Sequence, residues 1–223
     1  MPKKVKKKIK FKIVPTFIFL ISIVILYFVI NFLLDTKIKN IYIIGNNIVK
    51  DQEIIELAGI DNYPSFYKTL SKTIKKRILK NELIKDVQIK KKFFNVLEIN
   101  ITEYVPVFIK DNMTVLENKK KIDNISYKLP ILNNLEENKT YDDLIKEILK
   151  LNNESKANIS QIIYSPSEYD KTRFLLYMDD GNHVYINISK FSNINYYSEI
   201  YPTLKGKKGT LYLDSGNHFE VFK

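Results

Sequence analysis

From Ile13 to Leu34 the chain reads IVPTFIFLISIVILYFVINFLL, 22 residues without a charged side chain. As a helix rising about 1.5 Å per residue, this run spans roughly 33 Å, enough for a hydrocarbon layer of about 30 Å. A helix apolar on every face does not fit the surface of a water-soluble domain. Pro15 falls in the first turn, where its missing N–H is no loss, and Thr16, Ser22 and Asn31 are too few to prevent insertion. A cleaved secretory signal would have a shorter apolar region, about 7–15 residues, followed by small residues at the cleavage site. Here the run ends in NFLLDTKIKN, with no small-residue pair. The pattern predicts an uncleaved transmembrane helix over 13–34.

Charge sets the direction. Residues 1–12 form a basic tail carrying Lys3, Lys4, Lys6, Lys7, Lys8, Lys10 and Lys12 and no acid, while only Lys37 and Lys39, beside Asp35, follow the span closely. The positive-inside rule places the N-terminus in the cytoplasm and residues 35–223 outside, a single-pass type II arrangement in the cell membrane. The net charge of +11 falls to +4 once those seven lysines are set aside. Arg77 and Arg173 are the only arginines, whereas readers of base edges depend on bidentate guanidinium groups. Composition therefore argues against nucleic-acid binding. The chain has no cysteine, so it has no disulfide, thiolate nucleophile or cysteine-type zinc site. Its six glycines show no phosphate-binding loop, and no cofactor or small-molecule substrate is expected.

Two outer domains are expected, 35–109 and 110–223. In the first, KIKNIYIIGNN reads as a strand running into a turn, and KDQEIIELAGI as a short helix with Asp51 at its N-cap and Gly59 at its stop. YKTLSKTIKKRILKNEL carries Tyr67, Leu70, Ile74, Ile78 and Leu83 at helical spacing. IKDVQIKKKF and NVLEINITEYVPVFI alternate as two strands joined through Phe94-Asn95. The order β-α-α-β-β packs as two layers. In the second domain, FIKDNMTVLENKKKIDN reads as a hairpin, and TYDDLIKEILKLNN as a helix with Thr140 and Asp143 in capping-box positions. Strands follow at ISQIIYS, RFLLYM, HVYINIS, GTLYLD and HFEVF, with a helix near 193–201 that Pro202 interrupts or ends. The fold class is α+β: one transmembrane helix, a small β-α-α-β-β domain and a strand-rich C-terminal domain.

Three patterns suggest chemistry. Asp179, His183, Asp214 and His218 lie in two Asp-x-Gly-Asn-His stretches, a possible four-ligand zinc set. Asp-Gly between alternating apolar runs is also a strong hairpin signal, and that reading accounts for both stretches as turns. Ser65-Phe-Tyr-Lys68 matches the Ser-x-x-Lys motif of penicillin-binding proteins but lacks its companion Lys-Thr-Gly strand. Glu82, Asp86, Glu98 and Glu103 are spaced like an ordinary solvated face. None of these makes the chain an enzyme.

The succession of basic tail, single span, β-α-α-β-β module and strand-rich end resembles the bacterial cell-division family called FtsQ in some bacteria and DivIB in others. IKNIYIIGNNIVKDQEIIELAGI is similar to the opening of that family's polypeptide-transport-associated (POTRA) domain. LIKDVQIKKKFFNVLEINITEYVPVF is similar to its second and third strands, with Glu103 and Pro106-Val107 at the typical acidic and Pro-Val positions. DDGNHVYINIS and GTLYLDSGNHFEVF resemble two hairpins of the family's β domain. Phe93-Phe94-Asn95 departs from a turn that often contains proline. The resemblance implies a non-enzymatic scaffold at the division septum, binding FtsL-like and FtsB/DivIC-like single-pass partners. A zinc-dependent envelope hydrolase and a POTRA-type export chaperone are the alternatives.

HFEVF is apolar enough for a free sheet edge that recruits a partner strand, or simply for a last paired strand. The resemblance favours the first reading and points to His218, Phe219, Glu220, Val221 and Phe222 as contact residues. Tyr196, Tyr197 and Tyr201 on the preceding helix are weaker candidates, read as core before contact.

Overall fold

The computed structural model describes residues 13–223; the seven N-terminal lysines fall outside the described residues. The chain divides into two compact units, 1–103 and 104–223.

The first unit begins with α1 (Ile13–Asp35), a helix long and apolar enough to cross a membrane. Its large side chains from Val14 to Leu33 are exposed rather than packed against the rest of the chain. Where it ends, Ser65 Oγ donates to the Leu34 carbonyl, Phe66 N to the Thr36 carbonyl (2.8 Å) and Ile38 N to the Pro64 carbonyl (3.0 Å). Lys68 Nζ lies 3.5 Å from Asp35 Oδ1. The Ser-x-x-Lys pair is thus a clamp on the helix end.

Next come β1 (Asn40–Ile44), α2 (Asp51–Ala58), α3 (Ser71–Ile78), β2 (Ile84–Lys92) and β3 (Val96–Glu103). β3 is central, parallel to β1 and antiparallel to β2. Strand alternation turns Leu97, Ile99 and Ile101 inward, where they are buried along with Ile54, Ala58, Ile74 and Ile78 of the two helices. Gly59 caps α2 in the left-handed conformation (φ 67°), as its position suggested, and Arg77 adds a bond to the Ala58 carbonyl (3.1 Å). The N-cap of α2 is Lys50, and Asp51 is the first helical residue, where its charge suits the helix dipole. α3 is much shorter than its apolar spacing predicted: Tyr67 and Leu70 precede it and are exposed.

Glu103, the last residue of β3, holds the β1–α2 loop. Its carboxylate accepts from three consecutive backbone amides, those of Asn47 (2.9 Å), Ile48 (3.0 Å) and Val49 (2.8 Å). Gly45 makes this approach feasible: it sits at φ 90°, and a side-chain carbon there would collide with the Ile101 carbonyl.

The stretch 96–109, expected as one strand, divides at Tyr104-Val105. β4 (Pro106–Lys110) belongs to the second unit, so the unit boundary falls after Glu103 rather than at 109. β4 pairs with β5 (Met113–Leu116), which pairs with β6 (Lys121–Asp123). β7 (Ile131–Asn133), α4 (Lys139–Leu149), α5 (Asn153–Ala157), β8 (Ile159–Tyr164), β9 (Arg173–Met178) and β10 (His183–Asn187) follow. A run of 3₁₀ turns encloses α6 (Tyr197–Ile200), and β11 (Gly209–Tyr212) and β12 (His218–Val221) end the chain. The nine strands form one sheet in the order β12-β11-β10-β9-β8-β7-β4-β5-β6. α4 buries Tyr141, Leu144, Ile145 and Ile148 in the core. Its cap is Asn138, whose side chain accepts from Tyr141 N (3.1 Å), not the capping box read at Thr140. Pro202 is the second residue of a short 3₁₀ turn (Tyr201–Leu204) after α6, a first-turn position that needs no N–H from it.

Two buried phenols give this unit a pH dependence. Burial, with the Glu137, Asp142 and Asp111 carboxylates nearby, pushes Tyr141 up to about 12. Tyr197 is also raised, by burial and by its hydrogen bond to Asp180. An unfolded tyrosine ionises near about 10. Above that pH the unfolded chain releases protons that the folded one retains, so this contribution is full below about pH 10 and is lost as pH rises through the folded values. Urea unfolding is expected to show falling stability from about pH 10 upward, with the fall reduced in the Y141F/Y197F double variant.

Candidate partner-binding edge

β12 lies at one end of the nine-stranded sheet and pairs only with β11, antiparallel, with Gly209 opposite Val221, Thr210 opposite Glu220, Leu211 opposite Phe219 and Tyr212 opposite His218. Phe222 N donates to the Lys208 carbonyl (2.9 Å). In an antiparallel ladder hydrogen-bonded pairs alternate, so Glu220 and His218 also direct their amides toward β11. The N–H and C=O groups of Phe219 and Val221 point away from the sheet. Gly209 N confirms the phase, donating to Asn182 Oδ1 (2.9 Å) on the β10 side. Gly209 also has no room for a side chain, because the Glu220 carbonyl and the Phe219 ring occupy that space.

Side chains alternate across the strand as its sequence suggested. Phe219 packs against the core. On the other face the Tyr212 and His218 rings stack 4.6 Å apart, Tyr212 Oη donates to Glu220 Oε2 (3.2 Å) and Phe222 meets His183 at 4.9 Å. The row continues inward: Tyr185 stacks on Tyr212 (5.4 Å), and the Arg173 guanidinium sits 3.7 Å over Tyr185. Val221 and Phe222 remain about half exposed, at 50% and 44%. A groove of about 350 Å³ runs beside the edge, lined by Tyr196, Ile200, Leu211, Leu213 and Asn217.

The three tyrosines separate. Tyr196 is exposed on that groove, and Tyr201 is about a third exposed and stacks against Tyr197 (6.3 Å). Tyr197 is buried and donates to Asp180 Oδ2 (2.7 Å), so it is core and not a contact residue.

Both Asp-x-Gly-Asn-His stretches are hairpin turns, one between β9 and β10 and one between β11 and β12. Their acids and histidines have separate partners: Asp179 pairs with Lys128, Asp214 with Arg173 Nε (2.8 Å), His183 contacts Tyr177 and Phe222, and His218 lies on Tyr212. Among the described residues no three His, Asp or Glu side chains gather as a metal site. The residue that local turn chemistry undervalued is Asn182. It is fully buried; its amide donates to Asp180 Oδ2 (3.0 Å) and Tyr197 Oη (3.1 Å) and its oxygen accepts from Gly209. One side chain thereby joins the β9–β10 turn, α6 and the start of β11.

An apolar span followed by a three-stranded, two-helix module and a mixed-sheet unit defines a single-pass membrane protein of the POTRA class. Residues 36–104 match the POTRA domain, FtsQ-type. Cell division protein DivIB of Bacillus subtilis (strain 168) is 31% identical over 222 residues, covering 91% of this chain and 83% of the relative. DivIB of Listeria monocytogenes serovar 1/2a is 30% identical over 198 residues, covering 84% and 73%. The solved major extracytoplasmic domain of DivIB from Geobacillus stearothermophilus aligns with 47% of this chain and 96% of its own, at 19% identity and a TM-score of 0.39. The chain belongs to the DivIB family of cell-division proteins.

Proposed function

We propose that this protein is a non-enzymatic scaffold of the division machinery, anchored by α1 with its N-terminus in the cytoplasm and acting at the septum. It holds single-pass partners of the FtsL and FtsB/DivIC kind outside the membrane and so links them to septum formation. The observation that carries this reading is the outward-facing backbone of Phe219 and Val221 at a terminal edge strand. A partner segment added there would satisfy those groups with main-chain hydrogen bonds, while alternate side chains supply selectivity. One row would meet Val221 and the Tyr196 groove, the other His218, Glu220 and Phe222.

Affinity capture from detergent-solubilised membranes of the source organism tests it, comparing the full chain with one truncated after Gly216. Small single-span division proteins are expected with the first and not with the second, whose remaining fold is checked by circular dichroism. Equal capture by both forms would defeat the edge assignment, and capture of no division protein by either would defeat the scaffold reading.

A further inference from the structure

The most exposed apolar pair outside α1 is Phe93 and Phe94, at 91% and 86%, on the tip of the β2–β3 hairpin. Phe94 adopts φ 63° and ψ 28°, a left-handed conformation that an aromatic residue rarely takes, followed by Asn95 at φ 60°. The core of the unit needs neither ring.

Their position in the topology is specific. β1 leaves the end of α1 after four residues, and β3 runs parallel to it, with Asn40 opposite Val96. Residues before Val96 therefore lie at the end of the sheet where α1 enters. Two further ties fix this: Lys39 N donates to the Asn95 carbonyl (2.9 Å), and Lys91 Nζ donates to the Phe66 carbonyl while Phe66 N bonds Thr36 at the helix end. Phe66, Tyr67, Lys91, Lys92 and the tip itself line an open groove of about 680 Å³. Two or three extended residues, roughly 7–10 Å, separate the level of the tip from Asp35. The headgroup layer on each side of a bilayer is roughly 5–7 Å deep. Phenyl rings projecting from the tip span the difference. Lysine surrounds them: Lys37 and Lys39 at the helix exit, with Lys68 beside Asp35 there, and on the hairpin Lys90 and Lys92, which share Glu98, and Lys91, which bonds the Phe66 carbonyl. Aromatic rings flanked by long amines suit the boundary between acyl chains and phosphate oxygens.

We propose that the Phe93–Phe94 hairpin is a membrane-docking element that seats its rings in the leaflet from which α1 emerges, with the neighbouring lysines on phospholipid phosphates. This rests on α1 being the membrane span. The POTRA unit is then held at the lipid surface by two separate points, the helix and the hairpin.

The chain has no tryptophan, so a single introduced one is a clean reporter. Full-length F93W, and separately F28W within α1, would be reconstituted into phosphatidylcholine/phosphatidylglycerol vesicles with acyl chains brominated near the headgroup or left plain. The expected result is blue-shifted emission from F93W that loses intensity in the brominated vesicles, with F28W also quenched. Water-like, unquenched F93W beside quenched F28W would overturn the docking hairpin and leave the span intact. Failure of both to quench would overturn the span and the hairpin with it. Shielding of F93W only on adding a second membrane protein, without bromine quenching, would make the tip a protein contact and overturn lipid docking.

Discussion

Substitution V221P is expected to abolish partner capture while leaving the C-terminal unit folded. The Val221 amide points away from β11, so proline there removes no bond of the existing ladder. It does remove the donor that an added strand would use, and its ring obstructs the approach. The loss is roughly 2–3 kcal/mol, or about 30- to 150-fold in affinity. E220P is the informative counterpart, because the Glu220 amide faces β11 and its loss should loosen β12 itself. Capture measured beside amide hydrogen exchange at Thr210 and Tyr212, whose amides face β12, separates the two. V221P should lose capture with exchange unchanged, and E220P should lose both. Undiminished capture by V221P would mean that the partner does not pair with this backbone.

The second large effect is expected at Glu103. E103A leaves three adjacent amides, those of Asn47, Ile48 and Val49, without the carboxylate that gathers them. Hydrogen bonds to a charged group contribute about 1.5–3 kcal/mol, and partly buried donors left unpaired add a desolvation cost. Partial solvent access to the loop keeps the total near 2–3 kcal/mol. E103Q retains an acceptor but no charge and should lose roughly half as much. Amide exchange at 47–49 reports the site directly, and the thermal midpoint of the POTRA unit should fall in the same order, E103A below E103Q below the parent. Unchanged exchange at these amides would show that the loop is held by other contacts.

Much of this architecture could be read from residues because the signals are local. The 22-residue apolar run, the Gly59 stop, the two Asp-x-Gly turns and the alternation in HFEVF each report on neighbours within a few positions. What escaped depends on distant chain. β10 and β11 are parallel neighbours joined by a helical crossover of about twenty residues, and no short-range pattern announces that pairing. Asn182 looked like a turn residue because the turn was sufficient reason for it; only the arrival of β11 and α6 buries it. Tyr67 and Leu70 kept helical spacing with α3 although the chain there is occupied in clamping the end of α1. In the 96–109 stretch the row Leu97, Ile99, Ile101, Val105, Val107 and Ile109 keeps period two across Glu103, so pattern alone could not show that Tyr104-Val105 hands the chain from one sheet to another. The pattern of HFEVF left a free edge and a last paired strand equally open, since a strand's pattern does not reveal how many neighbours it has, and only the family resemblance favoured the edge.

Gly209 gives the terminal edge a second genetic address. Its missing side chain is the space that the Glu220 carbonyl and the Phe219 ring occupy. Any larger residue there must push the last strand off the sheet, so G209V should reproduce the truncation after Gly216 without altering a single residue of β12. With the proposed binding at this edge, loss-of-function alleles are expected in two clusters, one at the C-terminus and one at Gly209, on the neighbouring strand.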